Sequence, residues 1–383
     1  LLEFVVTDPS RQHWDKPPGD EGNYVVAGAA TTTTASAFTL RSGALSPVPQ
    51  TPPGVLLVSD LDGTMIGKHD QETARLKRWW EREQVPRGGV LCFSSGRSLA
   101  SIRRLLDEDK RGVLAHPDVV VGAVGTRVYW HERATPAAGG GRAGFPTTNS
   151  NGKSGHGHGG GFVEDAQWLA ELSSGGWDAP AAREAAYAAL ARAGKEAMHF
   201  LPPEDQSELK VSCGVRDGAL ARVLEDLQSG LAKHGATSLQ GAQIIVSGHG
   251  GWRYVDVVPS RAGKLAALEH VRLSGGFAPD CTVAAGDSGN DVAMLAGKKN
   301  LAVVVGNAQP DARAWAEEQQ AREREEGGLA VGAAVAVASG NGNGNGARPR
   351  QKDRLYRATG HEAAGILEAL EYWGLKEKGE EDG

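Results

Sequence analysis

Two carboxylates one residue apart, Asp60 and Asp62, close a short apolar run and are followed at once by Gly63 and Thr64. Three other polar clusters stand at the end of an apolar run or at the start of a helix-like stretch: Ser95, Lys264, and Asp287 with Asp291. Three or four carboxylates in one place cannot all be ionised without a cation. An oxygen-only donor set points to Mg²⁺, which keeps part of its water and is commonly shared with a phosphate. Lys264 and Ser95 add the charge and the hydroxyl that a tetrahedral anion needs. Such a set suits phosphoryl transfer, where positioning and charge neutralisation do most of the catalysis. Alone, residues 60–64 also read as an acidic turn after a strand; the other clusters decide for a site.

The clusters can meet only if their strands run the same way. An unbroken apolar run, as in residues 55–58, belongs to a sheet covered on both faces, and such sheets bind ligands at their carboxyl edge. Two acids one residue apart on an extended segment point to opposite sides, yet side-chain and backbone oxygens of the pair can serve one hard cation. The pattern predicts helix at 70–83, strand at 90–93, helix at 99–106 and strand at 119–124, the alternation of a parallel sheet with right-handed crossovers. Residues 137–161 are dominated by Gly, Ser, Asn and Thr and read as a surface insert, with His156 and His158 part of the tract rather than a metal site. Residues 162–259 read as an α+β module: helices at 181–194 and 219–234, strands at 208–215, 243–247 and 252–258, the last two around the glycines before Trp252. The βα rhythm then resumes, with helices at 262–273, 292–296, 310–324 and 361–373 and strands at 281–285, 301–305 and 355–359.

The fold class is therefore α/β, a Rossmann-like core with a parallel sheet into which an α+β module is inserted. The expected divisions are 1–53 as a tail or linker, 54–127 and 259–376 as the two parts of the core, 128–258 as the inserted module, and 377–383 as a tail. A second low-complexity insert, with alternating Gly and Asn, is expected at 327–352.

The composition limits the partners. With 41 basic and 47 acidic residues the net charge is −6, which argues against nucleic acid or an anionic membrane. No apolar stretch reaches the roughly 18 residues needed to span a bilayer. Three cysteines, Cys92, Cys213 and Cys281, cannot complete a disulfide framework and read as reduced thiols in a reducing compartment. Residues before Pro53 show no clean periodicity, and Asp8, Asp15, Asp20 and Glu21 fit a transit peptide poorly.

In order, D-L-D-G-T at 60–64, S-G-R at 95–97, Lys264 and G-D-S-G-N-D at 286–291 resemble the four motifs of the haloacid-dehalogenase-like phosphatases. F-S-S-G-R-S at 93–98, V-G-T at 124–126, K-V-S at 210–212, the Gly-Gly turn before Trp252 and A-T-G-H-E-A-A-G-I-L-E-A-L at 358–370 narrow the resemblance to the sucrose-phosphate phosphatase family. It covers residues 55–375 apart from the two Gly-rich inserts.

The resemblance implies a role for each matched residue. Asp60 would attack phosphorus and form an aspartyl-phosphate; Asp62 would protonate the leaving sugar oxygen and later deprotonate water. Asp60, Asp62 through its backbone carbonyl, and Asp287 would hold Mg²⁺, with Asp291 direct or through water. Ser95 and Lys264 would hold phosphoryl oxygens. Gly63, Thr64, Gly96, Thr126 and Asn290 would line the substrate, as would Arg97, which also reads as the structural partner of a nearby carboxylate. The inserted module would be a mobile C2-type cap that closes over the sugar. Lys210, Ser212 and Asp256 are its sugar-selecting candidates, with Trp168, Trp177 and Trp252 either joining them or packing the core. Cys213 and Gly214 stand where the family often has aromatic residues, which changes the shape of the sugar pocket.

The implied substrate is sucrose 6-phosphate in a cytoplasmic or plastid setting, with sucrose-phosphate synthase as a partner. The alternatives are another sugar phosphate, such as mannosylglycerate phosphate or trehalose phosphate, and a catalytically silent regulator of the synthase. A silent regulator could dispense with Asp60, Asp62 or Lys264; all three are present.

Overall fold

The computed structural model describes residues 54–132, 161–233, 241–248, 250–323 and 353–377, together with the backbone of 324–337 and of six short strands before residue 48. The chain divides into two units, residues 1–53 and 54–383. In the first, expected as a tail or linker, the strands pair two by two: Leu2–Phe4 with Tyr24–Val26, Val6–Thr7 with Trp14–Asp15, and Phe38–Arg41 with Ala44–Pro47.

The second unit is built on one sheet. Its first half holds β1 (Leu56–Ser59), α1 (Asp70–Trp79), β2 (Val90–Ser94), α2 (Leu99–Glu108), β3 (Val119–Gly122), β4 (Arg127–His131) and β5 (Phe162–Glu164). Then come α3 (Ala166–Ser173), α4 (Ala179–Ala193), β6 (Met198–Phe200), β7 (Val211–Arg216), α5 (Leu220–Lys233), β8 (Ala242–Ser247) and β9 (Trp252–Pro259). The chain closes with α6 (Lys264–Ser274), β10 (Thr282–Gly286), α7 (Val292–Leu295), β11 (Leu301–Val304), α8 (Pro310–Val337), β12 (Leu355–Arg357) and α9 (Ala363–Trp373).

The core sheet runs β5-β4-β3-β2-β1-β10-β11-β12. From β3 to β12 every pair is parallel, whereas β4 and β5 are antiparallel additions at one edge. Successive side chains of β1 go to opposite faces. Leu56 and Val58 enter a cluster with Leu268 and Val271 of α6; Leu57 enters one with Leu76 and Trp79 of α1 and Ile366 and Leu370 of α9. Burial on both faces is why these strands are uniformly apolar.

The expected module boundary at residue 128 moves. Residues 127–131 and 162–164 pair with the core sheet, so the cap begins at Asp165, the N-cap of α3. Val128 and Trp130 point inward and alternate with half-buried Arg127, Tyr129 and His131, the pattern of an edge hairpin rather than of a new domain. Since β4 opposes β3, it ends at the amino edge of the sheet, and β5 leads back to the carboxyl edge. The expected insert at 137–161 lies outside the described residues except at Gly161.

The cap sheet, β6-β7-β9-β8, is fully antiparallel. Val211, Cys213, Val215, Val255 and Val257 pack under Ala182, Ala185 and Ala189 of α4 and Val223 and Leu227 of α5. Small alanines let the helix pair sit close: a Cβ on Gly230 would fall 2.8 Å from the Ala185 Cβ. The opposite face carries Ser212 and Asp256, and at its base Ile245 and Val258 pack on the core. Helix α8 also corrects an expectation, continuing to Val337 into the stretch read as the second insert; Ala and Leu in 329–337 have high helical propensity.

Candidate active site

Asp60, Ser95 and Asp287 each follow the carboxyl end of a parallel strand, so the crossovers bring them to one edge despite their separation in sequence. The Asp60 N–H donates to the Ala285 carbonyl at 3.0 Å, which continues the β1–β10 ladder into the site. Lys264 is the first residue of α6, entered through Gly263 at φ 112°.

Its ammonium lies 2.7 Å from Asp60 Oδ1 and 2.7 Å from Asp291 Oδ1, with all three side chains buried. Asp291 Oδ2 accepts the Asp287 N–H at 3.2 Å, the Ser288 N–H at 3.1 Å and the Ser288 hydroxyl at 3.0 Å. Both Asp291 oxygens are thus engaged by the protein, one by Lys264 and the other by the turn. Asp287 Oδ1 accepts the Thr64 hydroxyl at 3.1 Å.

Burial is the largest influence on the acids. It pushes Asp60 up to about 7, against the pull of Lys264 and with help from Asp291 and Asp287. Asp287 is raised to about 6 by burial and by Asp291. Lys264 is held well above its ordinary value: burial acts against the charge, and Asp291 and Asp60 outweigh it. Single oxygens of Asp60, Asp287 and Asp291 lie within 4.8 Å of one another. Three buried acids around one lysine leave excess negative charge, and their oxygen-only donors fit a hard divalent cation. Asp60 and Asp287 are the side chains that would hold it.

Asp62 is placed differently. Its carboxylate takes a two-pronged grip from Arg97, with Nε to Oδ2 and Nη2 to Oδ1 both at 2.7 Å, and it stands outside the acidic cluster. Arg97 is also tied to the Ser101 hydroxyl, and its N–H donates to Ser95 Oγ at 3.2 Å. Of its two readings, Arg97 here is the partner of a carboxylate.

Among the other expected residues, Gly63 sits at φ 86°, where a Cβ would lie 2.7 Å from Asp287 Oδ2, so only glycine lets the turn approach that acid. Gly96 is exposed beside Val124. Thr126 is buried with its hydroxyl on the Ala123 carbonyl, and the Asn290 amide oxygen accepts from Ser288; both are occupied in shaping their own turns.

The remaining candidates form a second, separate group on the cap. Ser212 donates its hydroxyl to Asp256, and Lys210 Nζ stands 3.8 Å from the same carboxylate, all three nearly inaccessible. Burial raises the Asp256 carboxyl and Lys210 partly offsets it. Trp168 packs in the core with Nε1 on the Gly125 carbonyl, and Trp177 donates to the Glu208 carbonyl; Trp252 meets His199 and Arg216. On the face that holds Ser212, Gly214 has the His199 ring where a side chain would stand: a Cβ there would lie 2.5 Å from His199 Cε1. β8 packs against the Gly289–Asp291 turn, which brings the cap sheet over the carboxyl edge.

Two residues of the neighbourhood escape the sequence reading. Asn307 donates to the Gly63 carbonyl at 2.6 Å, and Glu362 accepts the N–H groups of Lys68 and His69. Asn307 stands just beyond a predicted strand at the same edge and could have been found by that rule. Glu362 lies in the segment 358–370 that carries the resemblance, but nothing in that segment marks its side chain as a partner of residues 68–69.

The chain matches the model of the sucrose-6F-phosphate phosphohydrolase family over residues 53–139 and 156–330. A probable sucrose-phosphatase 2 of Arabidopsis thaliana is 28% identical over 297 residues, covering 73% of this chain and 58% of that protein. This chain therefore spans little more than half the length of that relative. A mannosylfructose-phosphate phosphatase of Agrobacterium fabrum is 27% identical over 320 residues, covering 84% of this chain and 97% of the relative. Among solved structures, the Synechocystis sucrose-phosphatase with sucrose and phosphate superposes with a TM-score of 0.57 at 24% identity, covering 84% of this chain and 98% of that one. That likeness establishes the shared fold, a parallel-sheet α/β core with an inserted α+β cap.

Proposed function

As the chain belongs to the sucrose-6F-phosphate phosphohydrolase family, we propose that it is a Mg²⁺-dependent phosphatase that hydrolyses sucrose 6-phosphate to sucrose and phosphate. The observation that carries the reading is the wiring of Lys264 to Asp60 and Asp291 beside Asp287, with Asp62 two residues on and exposed. A silent regulator of a synthase would have no need to keep a buried lysine between two buried acids.

Asp60 attacks phosphorus, the bond from phosphorus to the sugar oxygen breaks, and an aspartyl-phosphate forms on Asp60. Asp62 gives its proton to the departing sugar oxygen, then takes one from the water that attacks the aspartyl-phosphate. Phosphate leaves and both acids are restored. Lys264 and Ser95 balance the phosphoryl oxygens, and Asp291 keeps Lys264 aimed. A divalent cation at Asp60 and Asp287 would neutralise charge on the phosphate and keep Asp60 ionised at neutral pH, against the rise that burial causes. To act as an acid, Asp62 leaves the Arg97 fork, and the phosphoryl group of an entering substrate is the anion that competes for Arg97.

The Lys210, Ser212 and Asp256 group offers both donors and an acceptor to sugar hydroxyls. Mannosylfructose phosphate is the second substrate reading, favoured by the near full-length match to the Agrobacterium fabrum phosphatase. The deciding experiment is phosphate release from sucrose 6-phosphate, mannosylfructose phosphate, trehalose 6-phosphate, mannosylglycerate phosphate and glucose 6-phosphate, with and without Mg²⁺. Strong Mg²⁺-dependent preference for sucrose 6-phosphate is expected. Preference for another ester discards the sugar and keeps the chemistry, and inertness toward all of them discards the phosphatase.

A further inference from the structure

The turn that carries Asp62 is tied down from outside the four motifs. Residues 61–66 fold tightly: the Gly63 N–H donates to the Ile66 carbonyl at 2.8 Å, while the N–H groups of Thr64, Met65 and Ile66 converge on the Leu61 carbonyl. Asn307 donates Nδ2 to the Gly63 carbonyl and accepts the Glu362 N–H at 2.7 Å. The Glu362 carboxylate accepts Lys68 N–H at 2.8 Å and His69 N–H at 3.0 Å and meets His69 Nδ1 at 3.2 Å. One linked pair of side chains therefore grips both ends of the segment 63–69.

The backbone at Glu362 argues that the grip is more than packing. Its φ of 53° and ψ of −133° lie in a region that glycine takes readily and other residues rarely do. Although it stands at the N-cap of α9, its side chain makes no cap bond there and reaches instead to the Asp62 segment. The fit is close: a Cβ on Gly67 would fall 2.0 Å from Glu362 Oε1. A glutamate is thus kept, nearly inaccessible, where the backbone favours glycine.

We propose that Glu362, working with Asn307, is a positioning residue for proton transfer: it fixes the turn that holds Asp62, so that this acid meets the leaving oxygen in register. The inference rests on the role given to Asp62 above. It predicts a loss that depends on the leaving group. A sugar alkoxide needs a proton to depart, whereas p-nitrophenolate departs without one.

The test compares full-length wild type, Glu362→Gly and Glu362→Gln with Mg²⁺, on p-nitrophenyl phosphate and on sucrose 6-phosphate or whichever sugar phosphate of the panel turns over fastest. Glu362→Gly relaxes the backbone and is expected to melt near wild type. Its kcat on the sugar phosphate should fall at least roughly tenfold, a fraction of what a placed proton donor contributes. KM should hold, and the loss on p-nitrophenyl phosphate should be much smaller. Glu362→Gln, whose amide oxygen still accepts an N–H, should fall between the two. Equal losses on both esters, or no loss, would overturn the inference alone. Wild type inert on every ester would overturn the phosphatase reading and the inference together.

Discussion

Replacing Lys264 by Met keeps the aliphatic stem and removes the charge that two buried carboxylates share. Breaking a buried ion pair from one side costs about 3–5 kcal/mol, because the partner is left without compensation. For a domain of this size each kcal/mol is worth about 2 °C, so the melting point should fall by about 6–10 °C at pH 8 in chelator-treated protein. The pH sets the sign of a further change. Asp60 is raised to about 7 and Asp287 to about 6 from 3.8. Each therefore favours the folded state while protonated; that stability is complete below pH 3.8 and is lost as pH rises through 6 to 7. Lys264 pulls Asp60 down, so in the variant Asp60 titrates higher and the loss is larger. The gap between the proteins should accordingly be small at pH 5 and wide at pH 8, and phosphate release should vanish. The assay is scanning calorimetry of both proteins, free of divalent cations, at the two pH values. Equal melting at pH 8, or a gap that widens toward pH 5, would refute the placement of Lys264 between the acids.

Asp60→Asn should melt near wild type yet release no phosphate above background, since an amide is not a nucleophile; steady-state assays with calorimetry check it. Arg97→Ala should change the melting point little, because a half-exposed ion pair is worth about 0–1 kcal/mol. It should raise KM for sugar phosphates about tenfold or more, because the entering phosphoryl group loses the guanidinium that receives it, and Arg97→Lys should restore little because an ammonium lacks the planar grip. Gly63→Ala places a methyl against Asp287 at a left-handed turn, so a loss of about 1–3 kcal/mol and a higher Mg²⁺ requirement are expected by denaturant titration and metal-dependent activity.

Most of the catalytic edge is legible because its signal is local: an apolar run ending abruptly in Asp60, Ser95 or Asp287 announces both strand and site. The elements that escape are those whose signal is short or split. β4 and β5 form one hairpin separated by about thirty residues of other composition, so neither half shows an alternation long enough to read. β6 has three residues and is defined by its pairing with β7. That Arg97 pairs with a carboxylate is one of its two readings, but its choice of Asp62, like the Glu362 clamp, depends on distances between segments and on a backbone angle, which no residue pattern encodes. The junction of cap and core is hidden from the sequence for a related reason: Trp130 and His270 both bind the Asp165 carboxylate, through contacts 35 and 105 residues away in sequence.

The direction of β4 also sets the rim from which the chain departs. His131 and Phe162 leave and re-enter the sheet at its amino edge, and Leu355 re-enters there as well, since β12 is parallel to its neighbours. These junctions therefore lie at the blind side of the sheet, opposite the rim that carries Asp60 and Asp287. Sequence joined to the sheet at either junction accordingly starts from the rim opposite Asp60 and Asp287.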